Sequence, residues 1–249
     1  INFMATHGRG LICLSMPAAR VDALGLPLMS AKNSSRHETA FTMSIEAREG
    51  VHVHVGGRDL VNFCSNDYLG LSQHLDVVSA FQEASAHYGV GSGASALVCG
   101  HQGEHAALER EAAEWMGYPR ALFMGSGYLA NLAVMQSLLG AGDVCVQDKR
   151  NHACLIDGAR ASGATVRSFR HNDLAQLEER LVWAAARLPA TGRTLVITEG
   201  IFSMDGDRAP LRAIADITRR HRCLLLVDEA HSFGLCGPQG RGLAAPVYR

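Results

Sequence analysis

Asp228, Glu229 and His231 arrive together at the end of an apolar run, in LLLVDEAHSFG from Leu224 to Gly234. Two chemistries use such a cluster at a strand end. Asp-Glu-Ala-His is one spelling of the metal-holding carboxylates of an ATP-driven helicase. Alternatively, a buried acid pairs with the protonated ring nitrogen of an aromatic cofactor while an imidazole lies beside it. The first needs a phosphate-cradling loop of the form G-x-x-x-x-G-K-[ST]. The two lysines, Lys32 in SAKNSS and Lys149 in QDKRNH, stand in no such loop. Charge agrees: 23 basic residues against 24 acidic ones give a net charge of -1, no electrostatic footprint for a nucleic acid. The helicase reading falls, and no nucleic-acid partner is expected.

HQGEH, His101 to His105, fits the H-x-x-E-H spelling of an inverted zinc peptidase, with Glu104 as general base. A catalytic zinc needs three protein ligands on firm elements. Gly103 sits inside the motif and no third ligand is evident, so a helix start with capping side chains is expected there, and no metal. Seven cysteines, an odd number with no C-x-x-C pair, read as reduced small hydrophobes of a cytoplasmic protein. No apolar run approaches the roughly 20 residues that span a bilayer, so no membrane partner is expected.

Three further polar stretches follow apolar runs. MGSGYLANLAVM places Ser126, Gly127 and Tyr128 between a strand and a helix, where freed amides and the helix dipole favour a phosphate. QDKRNHACLIDGAR sets His152 just past a strand; taken alone, it reads as a structural or capping histidine. EGIFSMDGD brings Glu199 and Ser203 after another, although its MDGD would make a tight turn in any case.

The elements that must position these residues alternate from residue 74 onward. Helical spacing covers 75–88, 103–116, 129–140, the start of HACLIDGARASG, 173–188 and 211–221. Strands are expected at 121–124, 144–147, 164–169, 194–198 and 223–227. Several of these strands are apolar without alternation, as when helices cover both sheet faces. The class is therefore α/β with a mostly parallel sheet, whose ligands sit at the carboxyl ends of the strands. Residues 1–48 read as an irregular or partly helical arm. Residues 49–64 read as a β-hairpin turning at Gly56-Gly57, and 65–249 as a cofactor-binding domain. A phosphate site, an imidazole and a buried Asp at one sheet edge suit pyridoxal 5'-phosphate, with Asp228 holding the pyridine nitrogen protonated.

NFCSNDYLGLS, YGVGSGAS, GSGYLANLAV, NHACLIDGAR, HND (171–173), EGIFSMDGDRAPL and VDEAHSFGLCGPQGRG together resemble the α-oxoamine synthases, over roughly residues 50 to 242. That resemblance implies the fold type I architecture of pyridoxal phosphate enzymes and a homodimer. It implies that Ser126, Gly127 and Tyr128 bind the cofactor phosphate and that His152 stacks on the ring. Asp228 would pair with the ring nitrogen, Ser203 and His231 would contact the cofactor, and Asn66 and Glu199 would lie towards the substrate. The implied reaction is a decarboxylative condensation of an amino acid with an acyl thioester. The HND and SNDYLGL spellings lean towards L-alanine and a pimeloyl thioester, on CoA or a carrier protein; glycine or serine with another acyl-CoA is the alternative. Two departures stand out. Ala96 follows Ser95 where the family usually has a basic residue. No lysine stands where the family's Schiff-base lysine is expected, beyond GPQGRG, and the family's small C-terminal domain is not represented. The expectation is an inactive front portion of such an enzyme, or a noncatalytic remnant of its fold.

Overall fold

The computed structural model describes residues 44–247, together with the backbone of residues 2–7 and 10–14. The chain divides into two compact units, one of Ile1–Pro17 with His101–Arg249 and one of Ala18–Gly100. The first begins with strands β1 (Asn2–His7) and β2 (Gly10–Leu14). The second holds β3 (Ala47–Glu49), β4 (His52–Val55) and β5 (Arg58–Val61), an antiparallel sheet in that order, followed by helix α1 (Leu75–Tyr88). The turn read at Gly56-Gly57 joins β4 to β5, and both glycines have positive φ, 56° and 73°, which favours residues lacking a Cβ.

From His101 onward the order is α2 (Gly103–Met116), β6 (Ala121–Met124), α3 (Gly127–Leu138), β7 (Val144–Asp148), α4 (Ala153–Ala161), β8 (Thr165–Phe169), α5 (Leu174–Ala185), β9 (Thr194–Glu199), α6 (Leu211–Arg220) and β10 (Leu224–Asp228). The seven-stranded sheet runs β6-β1-β2-β10-β9-β7-β8. β2, β10, β9, β7 and β8 are mutually parallel, while β1 is antiparallel to both its neighbours. The fold is thus the α/β architecture with a mostly parallel sheet expected above.

Every residue of β7 and β9 is buried, which explains why their sequences show no alternation. The two faces nonetheless separate by residue parity. Cys145, Leu195, Ile197 and Leu226 pack with Ala130, Val134 and Met135 of α3 and Leu155 of α4. Val144, Val146, Val196 and Val227 pack on the opposite face with Leu177 and Leu181 of α5 and Ile214 and Ile217 of α6. Cys145 behaves as a small hydrophobe: burial pushes its thiol up to about 12.

The stretch read as an irregular arm contains strand in its described backbone. Asn2–His7 and Gly10–Leu14 pair with each other, and through them β6 is joined to β10. Short apolar runs such as LICL suffice for a strand that borrows its partners from elsewhere in the chain. Residues 15–43 of the expected arm lie outside the described residues.

Candidate functional site

Three adjacent strands, β10, β9 and β7, each end in a buried carboxyl group: Asp228, Glu199 and Asp148, exposed by 3%, 3% and 0%. Burying acids side by side is costly unless hydrogen bonds or cations meet them. The loops that follow the strands, together with helix α3, supply those partners.

Asp228 accepts from the Asn131 side-chain amide, Nδ2 to Oδ2 at 2.8 Å, and from the Ala230 backbone amide, N to Oδ1 at 2.9 Å. Both oxygens are thereby fixed. Glu199 accepts from the backbone amides of His152 (2.5 Å) and Ser203, tying the loops after β7 and β9 together. Burial, then the charge of Asp228, pushes the Glu199 carboxyl up to about 8. Glu229 turns away from this row. It accepts from the Ser232 hydroxyl and from the amides of Leu243 (3.1 Å) and Ala244 (2.5 Å), and burial raises it to about 7. A Cβ on Gly242 would stand 2.8 Å from its Oε2, so only glycine lets that segment close on the acid.

His152 caps α4: its Nδ1 accepts from the Cys154 amide at 3.2 Å and lies 2.9 Å from the Cys154 sulfur. His231 is partly buried, and burial, then the charge of His152, lowers its pKa. Ser126 caps α3, its Oγ accepting from Leu129 N at 3.1 Å. The N–H groups of that first helical turn, those of Gly127 and Tyr128 among them, point out of the helix end. Gly127 is buried, while Tyr128 is 45% exposed with its hydroxyl donating to Asp157 Oδ2 at 3.1 Å.

Residues 58–246 match the family model described as aminotransferase class I and II. The chain belongs to this family. Within it the likeness is to α-oxoamine synthases, as the motifs indicated. The 8-amino-7-oxononanoate synthase of Xylella fastidiosa (strain M12) is 50% identical over 206 residues, covering 82% of this chain and 50% of the relative. The synthase of the same name from Stenotrophomonas maltophilia (strain R551-3) is 51% identical over 203 residues, 81% of this chain and 48% of the relative. Among solved structures, a serine palmitoyltransferase of Sphingomonas wittichii superposes with a TM-score of 0.78 at 32% identity, covering 84% of this chain and 52% of that one. An 8-amino-7-oxononanoate synthase from Francisella tularensis gives 0.61 at 35% identity, covering 74% and 49%. The chain spans about half the length of the curated relatives it matches. Residues 1–66 match a different family model, 3,4-dihydroxy-2-butanone 4-phosphate synthase, overlapping the first match at residues 58–66. The sequence reading found no signal for this second likeness, and most of that stretch lies outside the described residues.

In this family member Ser126, Gly127, Tyr128, His152, Glu199, Ser203, Asp228 and His231 all lie on loops or element ends beyond strands of the one sheet. Asn66 belongs to the Ala18–Gly100 unit, where its Oδ1 accepts from the Tyr68 hydroxyl at 3.2 Å. The HQGEH run starts α2, with Gln102 and His105 forming a reciprocal capping box and His101 meeting Glu109 at 3.2 Å. Asn131 and Asp148 are working polar residues that the motifs did not single out, whereas Glu229 was named with Asp228 but without a role. Asp148 repeats the signal that singled out Asp228, an acid closing an apolar strand.

Proposed function

We propose that this chain is the coenzyme-binding part of an 8-amino-7-oxononanoate synthase, with pyridoxal 5'-phosphate seated against the row of strand ends. The solved relatives include a serine palmitoyltransferase from S. paucimobilis with a bound PLP–myriocin aldimine, 33% identical with a TM-score of 0.77. The residues present fit that group. Asp228 offers a carboxylate whose two oxygens are already held by neutral donors, which suits a group that must receive an N–H⁺ in a fixed direction. The N-terminus of α3 offers amides and a dipole to a phosphate.

When bound, pyridoxal phosphate supplies an electron sink for a carbanion formed at the amino acid's Cα. The protein's part is positioning and proton control. Asp228 holds the ring proton in place, because in a low dielectric the paired charges are favoured together. Gly127 and Tyr128, with Ser126, bind the phosphate. His152, its Nδ1 occupied at the start of α4, presents its ring to the coenzyme, and Ser203 and His231 contact it from the next two loops. Glu199 is held protonated to about 8 by its surroundings, which limits the negative charge that a substrate carboxylate meets. Asn66 is assigned to the substrate on the strength of the SNDYLGL spelling.

The substrates we assign are L-alanine and a pimeloyl thioester, on CoA or a carrier protein, with loss of carbon dioxide. The 50% identity to synthases of that name supports this choice over serine with a long-chain acyl-CoA, although the serine palmitoyltransferase superposes with the higher TM-score. In the full enzyme we assign a homodimer in the cytoplasm. Among the described residues no helix is long and apolar enough to cross a membrane. Lys149, the lysine among the described residues, is exposed past the end of β7, and we propose that it forms no covalent link with the coenzyme.

The observation that carries the reading is the geometry of Asp228. Titrating pyridoxal phosphate into the 249-residue chain, followed by coenzyme absorbance, is expected to give saturable binding that Asp228→Ala weakens by about tenfold or more, the loss of one charge-assisted bond. Equal affinity in the two proteins would contradict it. Alanine condensing with pimeloyl-CoA in the full-length protein supports the substrate choice; condensation of serine alone would overturn it.

A further inference from the structure

Asn131 is fully buried in the middle of α3, among Ala130, Val134 and Met135. An apolar side chain would fill that place without the cost of burying an amide. Its Nδ2 donates to Asp228 Oδ2 at 2.8 Å and approaches the Cys154 sulfur at 3.0 Å. Its Oδ1 is buried and accepts no hydrogen bond among the described residues. The side chain therefore tolerates one unmet acceptor in order to aim its donor at Asp228. The amide's orientation follows from chemistry, since an ionised carboxylate only accepts.

Two contacts extend the arrangement. Cys154 lies 2.9 Å from His152 Nδ1, so Asn131 stands between the acid assigned to the ring nitrogen and the histidine assigned to the ring face. The close approach of α4 that brings Cys154 there depends on Gly158, where a Cβ would meet Met135 Cγ at 2.9 Å. Asn131 also follows Gly127 by four residues on one helix, a rise of about 6 Å. The helix whose first turn faces the phosphate thus carries, one turn later, the group that fixes the acid.

We propose that Asn131 is a positioning residue. It locks the Asp228 carboxylate towards the coenzyme's ring nitrogen and makes α3 the ruler between the phosphate and nitrogen anchors. This rests on the coenzyme reading given above. Being neutral, the amide orients the acid without cancelling the charge that a pyridinium needs; a cation in its place would do both.

The test compares wild type, Asn131→Leu and Cys154→Ala, each titrated with pyridoxal phosphate and separately with inorganic phosphate, with thermal unfolding as the fold control. Asn131→Leu keeps the branched shape of the side chain and removes the donor. The expected result is about tenfold weaker binding of pyridoxal phosphate with phosphate binding unchanged, and a shift in the pH dependence of coenzyme binding. Cys154→Ala is expected to change coenzyme affinity less than threefold, because the Asn131–Asp228 bond remains. Equal losses for coenzyme and phosphate would make Asn131 merely structural and overturn the proposal, as would unchanged coenzyme binding. Should Asn131→Leu fail to fold, Asn131→Ala is read by the same two titrations. Failure of wild type to bind pyridoxal phosphate at all would instead sink the coenzyme reading, a distinct outcome.

Discussion

Asp148 and Asp228 close β7 and β10, the strands on either side of β9, and both are buried, yet they are met in different ways. Asp148 is bonded by an imidazole: His171 Nδ1 lies 3.0 Å from its Oδ1, while His171 Nε2 lies 2.7 Å from Asp207 Oδ2. The amides of Arg150 and Asn172, each at 2.8 Å, complete the set. This brace ties the ends of β7 and β8 to the loop after β9 that carries Ser203. Asp228 is oriented by the Asn131 amide and the Ala230 backbone, neutral donors that bring no positive charge of their own. An acid bonded to a histidine shared with a second carboxylate serves the framework. An acid aimed by neutral donors at the rim of the sheet is suited to an arriving cation.

Removing each acid breaks the comparison most sharply. Asp148→Ala leaves His171 half-paired and two amides without their acceptor, and is expected to cost about 3–5 kcal/mol of unfolding free energy by urea denaturation. His171→Ala deletes the bridge but spares the amide bonds, and should cost about 2 kcal/mol by the same measurement. Asp228→Asn, made without coenzyme, should fall within about 1 kcal/mol of wild type, since a buried acid next to Glu199 is replaced by a neutral isostere. Equal destabilisation by Asp148→Ala and Asp228→Asn would erase the distinction.

pH sharpens it further. Burial pulls the His171 pKa down, but hydrogen bonds and charge from Asp148 and Asp207 outweigh this and leave it raised above 6.5. A raised imidazole contributes stability that is complete below its unfolded value and is lost as pH climbs through the folded one. His171→Gln should therefore flatten the alkaline decline of the urea midpoint above about pH 6.5. Glu199 acts earlier. Its folded state keeps a proton from 4.5 to about 8, so stability falls across that window as pH rises, and Glu199→Gln should reduce the slope there. A slope unchanged by the substitution would remove the Glu199 contribution.

Much of the fold was legible because the buried strands declare themselves as unbroken apolar runs. CLLLV and TLVIT were placed to within a residue of β10 and β9, and α1 and α2 at their observed ends. The strand-end rule also led to Asp228, Glu199 and His152. What stayed hidden depends on distant partners. Asn131 in LANLAVM looks like one polar interruption of a helix until Asp228, 97 residues away, is beside it. HND suggested a substrate preference, whereas His171 and Asn172 are spent on Asp148 and Asp207 and Asp173 caps α5. HQGEH shows the reverse hazard, a metal spelling whose side chains begin a helix.

The most direct test of the account is nitrogen-15 NMR of ring-labelled pyridoxal phosphate bound to this chain. The account predicts a pyridinium shift in wild type that moves to the neutral pyridine position in Asp228→Asn. A neutral ring nitrogen in wild type, or the same shift in both proteins, would contradict it.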